Sequence, residues 1–264
     1  MGERETVDVA ALRAREGRVH SVETMGTVDG PGTRLVVFCQ GCPMRCAYCH
    51  NPDSWDPAAG SVTTAGEVLD TFERNRPFYR RGGITLSGGE PMLQPDFAAA
   101  VFALAHRAPA GRIHTCLDTS GIAFSAAAPE RHAALLDECD LVLLDVKHAL
   151  DEGHRELTGK AADNPRALGD ELARRGTPVV IRHVVVPGIT DGSEELAALG
   201  RLIARWDNVV GLDLLPYHTM GVGKYRALGL DYPLEGVPSQ EKGVIPGLRR
   251  QVLEARAAAR AGRG

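Results

Sequence analysis

Along most of the chain, short aliphatic or β-branched runs alternate with longer alanine-rich segments whose apolar positions recur at helical spacing. Residues 35–38 precede a segment at about 65–75, and 83–86 precede one at about 96–107. The unit recurs with 112–117 before 129–138, 141–146 before 165–175, and 179–186 before 193–205. Residues 209–215 then lead into a loop-rich tail and a last helix from about Gly247. Periods near two and near 3.6 predict strands and amphipathic helices in turn. Parallel neighbours need a helix-length return, so strict alternation implies a parallel sheet with right-handed crossovers. The expected fold is α/β, a partial (open) (β/α)6 TIM-like barrel, and working groups in such folds gather at the carboxyl ends of the strands. Residues 1–17 read as a polar N-terminal extension and 18–247 as the core domain. Residues 248–264 read as a C-terminal helix whose tail frays from Ala259.

The 264 residues and 28.2 kDa suffice for one large core. A net charge of -4 and a pI near 6.1 give no basic excess, which argues against nucleic acid as a partner. The apolar runs are too short for a membrane span of roughly 20 residues. Residues 1–17 lack the apolar core of a secretory signal, so a cytoplasmic location is expected. No heptad seam is visible, and a monomer is expected.

Cysteine placement is more informative. Four of six cysteines fall between Cys39 and Cys49, the crowding of a soft-metal site in a reducing compartment rather than of a disulfide framework. Cys116 and Cys139 stand apart and read as packing residues. Cys42, Cys46 and Cys49 lie on a loop bounded by glycine and proline, with gaps of three and two residues. Three thiolates suit an iron–sulfur cluster with one iron left open. Cys39 also forms a Cys-x-x-Cys pair with Cys42, and four sulfurs would describe a closed zinc or ferredoxin-like site. Cys39 equally continues an apolar strand, where it would point into the core.

Other polar groups fall at successive strand ends. Gly88 and Gly89 permit close backbone approach or simply make a turn. Asp145 and Lys147 alternate and so share a face, as a ligand-binding pair or an ion pair. Arg182 interrupts a valine-rich strand, where an unpaired guanidinium would be costly, so it should meet an anion or a carbonyl. Asp118 and Thr119 offer oxygen ligands or a strand-end turn, and Asp29 lies in a glycine–proline loop that could be turn chemistry alone. His50 and His218 are compatible with ordinary loop positions.

The cysteine triplet, with Tyr48 before the third thiol, resembles the signature of the radical S-adenosylmethionine (SAM) superfamily. The wider set narrows the likeness: Asp29-Gly30-Pro31-Gly32, Gln40-Gly41-Cys42, Tyr48-Cys49-His50-Asn51, Ser87-Gly88-Gly89-Glu90, Cys116-Leu117-Asp118-Thr119, Asp145-Val146-Lys147, Arg182-His183 and Pro216-Tyr217-His218 together resemble the pyruvate formate-lyase activating enzymes. The fold implied is the partial barrel of the radical SAM type, and the activity is that of a radical SAM oxidoreductase of anaerobic glucose metabolism. The resemblance implies one 4Fe-4S cluster on Cys42, Cys46 and Cys49, whose open iron takes the amino and carboxylate groups of SAM. Reductive cleavage then yields a 5′-deoxyadenosyl radical that removes a hydrogen atom from a glycine of a partner protein. It further implies contacts to SAM from Tyr48, His50, Gly88, Gly89, Asp145, Lys147, Arg182 and His218, with Lys147 and Arg182 acting in catalysis. A monovalent cation at Asp118 and Thr119, a partner-peptide contact at Asp29, and flavodoxin or ferredoxin as electron donor complete the family expectation. The alternatives are an activase of a different glycyl radical enzyme, a radical enzyme acting on a small molecule, and a non-enzymatic electron carrier or zinc module. The last does not explain the charged residues at the strand ends.

Overall fold

The strand Arg34–Cys39 (β2) is buried along nearly its whole length, as expected where helices cover both faces of a parallel sheet. It is preceded by α1 (Val9–Arg13) and β1 (Glu16–Gly26) in the computed structural model, which describes residues 8–262. The next elements are β3 (Ser61–Thr64), α2 (Ala65–Asn75), β4 (Gly83–Gly88), α3 (Pro95–His106), β5 (His114–Thr119), α4 (Ala133–Asp137) and β6 (Leu141–Asp145). They are followed by α5 (Asp151–Thr158), α6 (Asp163–Arg175), β7 (Val179–Val185), α7 (Ser193–Ala204), β8 (Val209–Pro216), α8 (Val222–Ala227) and α9 (Ile245–Ala261).

The six strands expected from the apolar pattern, β2 and β4 to β8, pair in parallel and in chain order. The sheet is open, running β3-β1-β2-β4-β5-β6-β7-β8. Its two antiparallel members, β1 and β3, go beyond the expected alternation. Most of β1 is exposed after Val19, and β3 has four residues, so neither carries a buried apolar run. The short helices α5 and α8 were also absent from the sequence pattern.

Local chemistry sets the boundaries. Thr64 caps α2 and receives Glu67 in return, a capping box at the junction with β3. The helices α5 and α6 end on left-handed Gly159 and Gly176. The C-terminal helix α9 lies on α7, where a side chain on Gly200 would collide with Ala255 and the Val252 carbonyl. Helix geometry continues to Ala261; residues 263 and 264 of the tail and 1–7 of the N-terminal extension lie outside the described residues. One core fills the space between sheet and helices. A second, smaller core sits beyond the strand ends and joins Met44, Cys46 and Tyr48 to Tyr217, Tyr225, Tyr232 and Leu234. No described helix is long and apolar enough to cross a membrane.

Candidate active site

The chain leaves β2 through Gly41, whose φ of 97° favours glycine, and folds the cysteine loop over the strand ends. The loop is anchored mainly by backbone. Gly41 and Cys42 donate to the carbonyls of Ser54 and Trp55 at 2.8 and 3.2 Å, and Arg45 and Ala47 donate to Thr158 and Leu157, each at 2.9 Å. The Arg45 guanidinium donates to the Cys42 and Met44 carbonyls and lies 4.6 Å from the centre of the Trp55 ring. Cys46 is buried, and Cys42 and Cys49 are half-buried. Burial pushes the Cys42 thiol up to about 11 and Cys46 up to about 12, with Lys147 pulling both the other way. Cys49 is also raised by burial, opposed by hydrogen bonds from the Asn51 backbone and the Trp55 indole.

Cys39 parts company with this triplet. It ends β2, is fully buried, and packs in the main core, whereas Cys42, Cys46 and Cys49 belong to the smaller one. Its Cys39→Ala variant is therefore expected to lose on the order of 1 kcal/mol to the small cavity. Its iron content after anaerobic reconstitution should equal that of the parent, and a loss of iron would make Cys39 a ligand.

Parallel register brings most of the charged groups together, whereas Lys147, expected to alternate with Asp145 on one strand, lies two residues beyond the end of β6 and reaches Asp145 from the following turn. Asp118 is the penultimate residue of β5, Asp145 ends β6, and Arg182 pairs in register with Asp145 from β7. The Arg182 Nη1 donates to Asp118 Oδ2 at 3.2 Å and to Asp29 Oδ1 at 3.4 Å, and its Nε lies 3.7 Å from Asp145 Oδ1. The Lys147 ammonium donates to Asp145 Oδ2 at 2.6 Å and sits 5.7 Å from the Tyr48 ring centre. Ser87 donates to Asp118 at 2.7 Å. Three carboxylates thus face two cations. Burial raises Asp118 to about 6 despite Arg182, helped by the neighbouring Asp145 and Asp29. Asp145 is held below the ordinary carboxylate range because Lys147 and Arg182 outweigh its burial. The anion that Arg182 was expected to meet is this set of carboxylates.

Gly88 has a φ of 105°, and a side chain there would press on the Cys39 backbone. A methyl on Gly89 would overlap the Gly41 carbonyl, so the two glycines let β4 approach the cysteine loop. Gly89 and Glu90 donate to the Cys39 and Gly41 carbonyls at 2.9 and 2.8 Å. The Thr119 hydroxyl, one residue after Asp118, donates to the buried Glu90 carboxylate at 2.5 Å and accepts from Gly121 N. The rings of His50 and His218 stack with centres 4.1 Å apart, and His50 Nε2 lies 3.1 Å from the His218 carbonyl.

Sequence reasoning missed several contributors. Trp55, Tyr225 and Tyr232 form successive edge contacts over the cysteine loop, and the Tyr232 and Tyr217 hydroxyls lie 2.8 Å apart. Lys224 ties α8 to Asn51 and Asp53 just after Cys49. Glu90 is buried and accepts from Met92 N, Thr119 Oγ1, Ser120 N and Ser120 Oγ. The available signals were the nearness of Trp55 to Cys49 in the chain and the places of Glu90 and Tyr217 within the Ser87-Gly88-Gly89-Glu90 and Pro216-Tyr217-His218 motifs.

Buried polar atoms normally find partners, and each one left alone costs about 1–3 kcal/mol. Tyr48 Oη, Asp118 Oδ1, Arg182 Nε and His218 Nδ1 are buried without a hydrogen-bond partner among the described residues. With three thiols beside them, these atoms fit a cluster and a zwitterionic, nucleoside-bearing ligand.

Comparison with known proteins agrees. The Radical SAM superfamily profile matches residues 36–200. A pyruvate formate-lyase-activating enzyme of Clostridium pasteurianum is 43% identical over 228 residues, covering 86% of this chain and 92% of its own. One from Streptococcus mutans is 47% identical over 226 residues, covering 84% of this chain and 85% of its own. Among solved structures, a radical SAM methyltransferase from Sphaerobacter thermophilus has a TM-score of 0.60 at 18% identity, over 85% of this chain and 64% of its own. Streptococcus suis SuiB bound to S-adenosylmethionine has a TM-score of 0.57 at 15% identity, over 85% of this chain and 48% of its own. These two likenesses concern the fold.

Proposed function

Because the chain belongs to the radical SAM superfamily, among the pyruvate formate-lyase-activating enzymes, we propose that it generates a glycyl radical on pyruvate formate-lyase, using one 4Fe-4S cluster and SAM. The observation that carries this reading is the arrangement of Asp29, Asp118, Asp145, Lys147 and Arg182 beside a cysteine triplet set apart from Cys39.

Cys42, Cys46 and Cys49 would hold the cluster, three thiolates leaving one iron for the amino and carboxylate groups of SAM. Bound together, cluster and SAM supply a reductively generated agent that takes a hydrogen atom from glycine. The chain's own residues do the orienting. Lys147 is suited to the SAM carboxylate. Arg182, held by three carboxylates, fixes Asp145 beside it. Gly88 and Gly89 bring backbone close enough to meet the amino group, and the stacked His50 and His218, with Tyr48, are assigned to the nucleoside. The smaller core around Tyr217, Tyr225 and Tyr232 covers the cysteine loop and buries Cys46, leaving Cys42 and Cys49 half-buried. Asp29 is assigned to the glycine-bearing peptide. Asp118 Oδ1, buried and unpartnered, and the remaining lone pair of the Thr119 oxygen, whose proton goes to Glu90, are assigned to a monovalent cation. A flavodoxin or ferredoxin is the proposed reductant, and the working form is a cytoplasmic monomer.

Anaerobically reconstituted protein, given SAM, a low-potential reductant and pyruvate formate-lyase, should produce 5′-deoxyadenosine and a glycine-centred paramagnetic doublet. Cleavage of SAM without the doublet would remove pyruvate formate-lyase as partner. A protein that takes up only zinc would remove the radical chemistry.

A further inference from the structure

Glu195 lies in the first turn of α7 beside exposed Glu194, yet only 3% of it is exposed. A buried carboxylate is tolerated only where partners replace its water. Its closest partners come from the turn that follows β6. Ala149 N donates to Glu195 Oε1 at 2.5 Å, and the His148 ring packs against the carboxylate, its Nδ1 2.9 Å from Oε2 and 3.1 Å from Leu150 N. His183 of β7 lies nearby, its Nε2 4.0 Å from Oε1 and beyond hydrogen-bond reach, while its Nδ1 donates to the Val146 carbonyl at 2.7 Å. Val146 N donates to Arg182 O at 2.9 Å, and Arg166 donates to Ala149 O at 2.8 Å. Between Asp145 and Leu150 the backbone is therefore gripped on both sides of Lys147. The fit extends to α5, where a methyl on Gly153 would occupy the space of the His148 ring.

We infer that Glu195 is a positioning residue for SAM binding: through Ala149 N and the His148 ring it fixes the turn after β6, and so holds Lys147 in place to meet the SAM carboxylate. Lys147 projects from a connection and not from a strand interior, so without this grip its ammonium would be set only by its pairing with Asp145. The inference rests on the assignment of Lys147 to that carboxylate, and the test separates the two.

The measurement is equilibrium binding of labelled SAM to the reconstituted full-length protein without reductant, so that no turnover contributes. Glu195→Gln keeps the shape and an acceptor for Ala149 N but loses the charge facing His148; Glu195→Ala loses both. Affinity should fall about 3- to 10-fold and about 10- to 100-fold respectively, the scale of groups that orient a ligand-binding residue. Cluster content should stay at the parental level. In a Lys147→Ala background the same substitutions should add less than about 2-fold, since an effect routed through Lys147 cannot be lost twice. Should Glu195→Ala not fold, Glu195→Gln with its double mutant carries the same comparison. Unchanged affinity in Lys147→Ala alone would overturn the carboxylate assignment and the inference with it. If Lys147→Ala weakens binding but Glu195→Gln does not, or if the Glu195 effect persists undiminished without Lys147, the positioning role is overturned while the assignment stands.

Discussion

Cys46→Ala is expected to give a folded protein that binds no more than background iron after anaerobic reconstitution and cleaves no SAM. Cys46 is the one buried thiol of the triplet and sits among Met44, Tyr48 and Tyr225, so no water or neighbouring side chain can take its place as ligand. The loop itself should survive. Its course is set by backbone bonds at Gly41, Cys42, Arg45 and Ala47 and by the Arg45 guanidinium, none of which involves the sulfur. Loss of the sulfur should cost on the order of 1 kcal/mol and move the melting temperature by a few degrees. Iron and sulfide content, circular dichroism and 5′-deoxyadenosine yield, measured beside Cys39→Ala, check the claim. Full cluster retention in Cys46→Ala would mean that the ligand set has been misassigned.

The second large effect is expected from Arg182→Gln, because one guanidinium serves three carboxylates. Its Nη1 and Nε reach Asp29, Asp118 and Asp145, and removal leaves Lys147 to face all of them. Stripping one partner from a buried ionic set costs about 3–5 kcal/mol, a large share of the roughly 5–15 kcal/mol that stabilises a domain. The deficit should depend on pH. Asp118, at about 6 in the folded chain, lies above its unfolded value of roughly 3.9. It therefore contributes stability that is fully present below the unfolded value and lost as pH rises through the folded one. Without Arg182, burial and the two neighbouring aspartates are opposed mainly by the Ser87 hydrogen bond, the folded value climbs, and the unfavourable window deepens toward neutral pH. The variant should lag the parent most near about pH 8 and recover much of the gap near about pH 5. Urea titrations at both values decide it; a deficit independent of pH would mean that Arg182 contributes packing rather than charge.

Both variants involve residues that could be picked out before any coordinates, and the reason is physical. Asp145 closes an apolar run and Lys147 follows two residues on, a charged pair conspicuous in the sequence; only Asp145 lies in β6, and the turn beyond it brings the two side chains together. Arg182 stands out among valines for the same reason. The six parallel strands were legible because burial on both faces leaves long apolar runs. The strand β1 was not, since most of its outer half meets solvent and presents no clean alternation. Glu90 was visible only as the last residue of the Ser87-Gly88-Gly89-Glu90 motif, and Glu195 not at all. The groups that satisfy their buried carboxylates, Ser120 and Ala149, are 30 and 46 residues away, which only the fold reveals. The separation of Cys39 from the triplet likewise needed the fold, because its spacing to Cys42 is as good as a ligand's.

The smaller core has a consequence for how the protein is made. It seals the cysteine loop with Tyr217, Tyr225, Tyr232 and Leu234, which are synthesised well over a hundred residues after Cys49. At roughly 5–20 residues per second the ribosome needs on the order of 10 to 40 seconds to supply them. A nascent chain that has already folded β2 and β4 would present three thiols with their cover still missing. Metallation is therefore best deferred until translation is complete, and a truncated product ending before Tyr217 would present those thiols to any soft metal or oxidant in the cell.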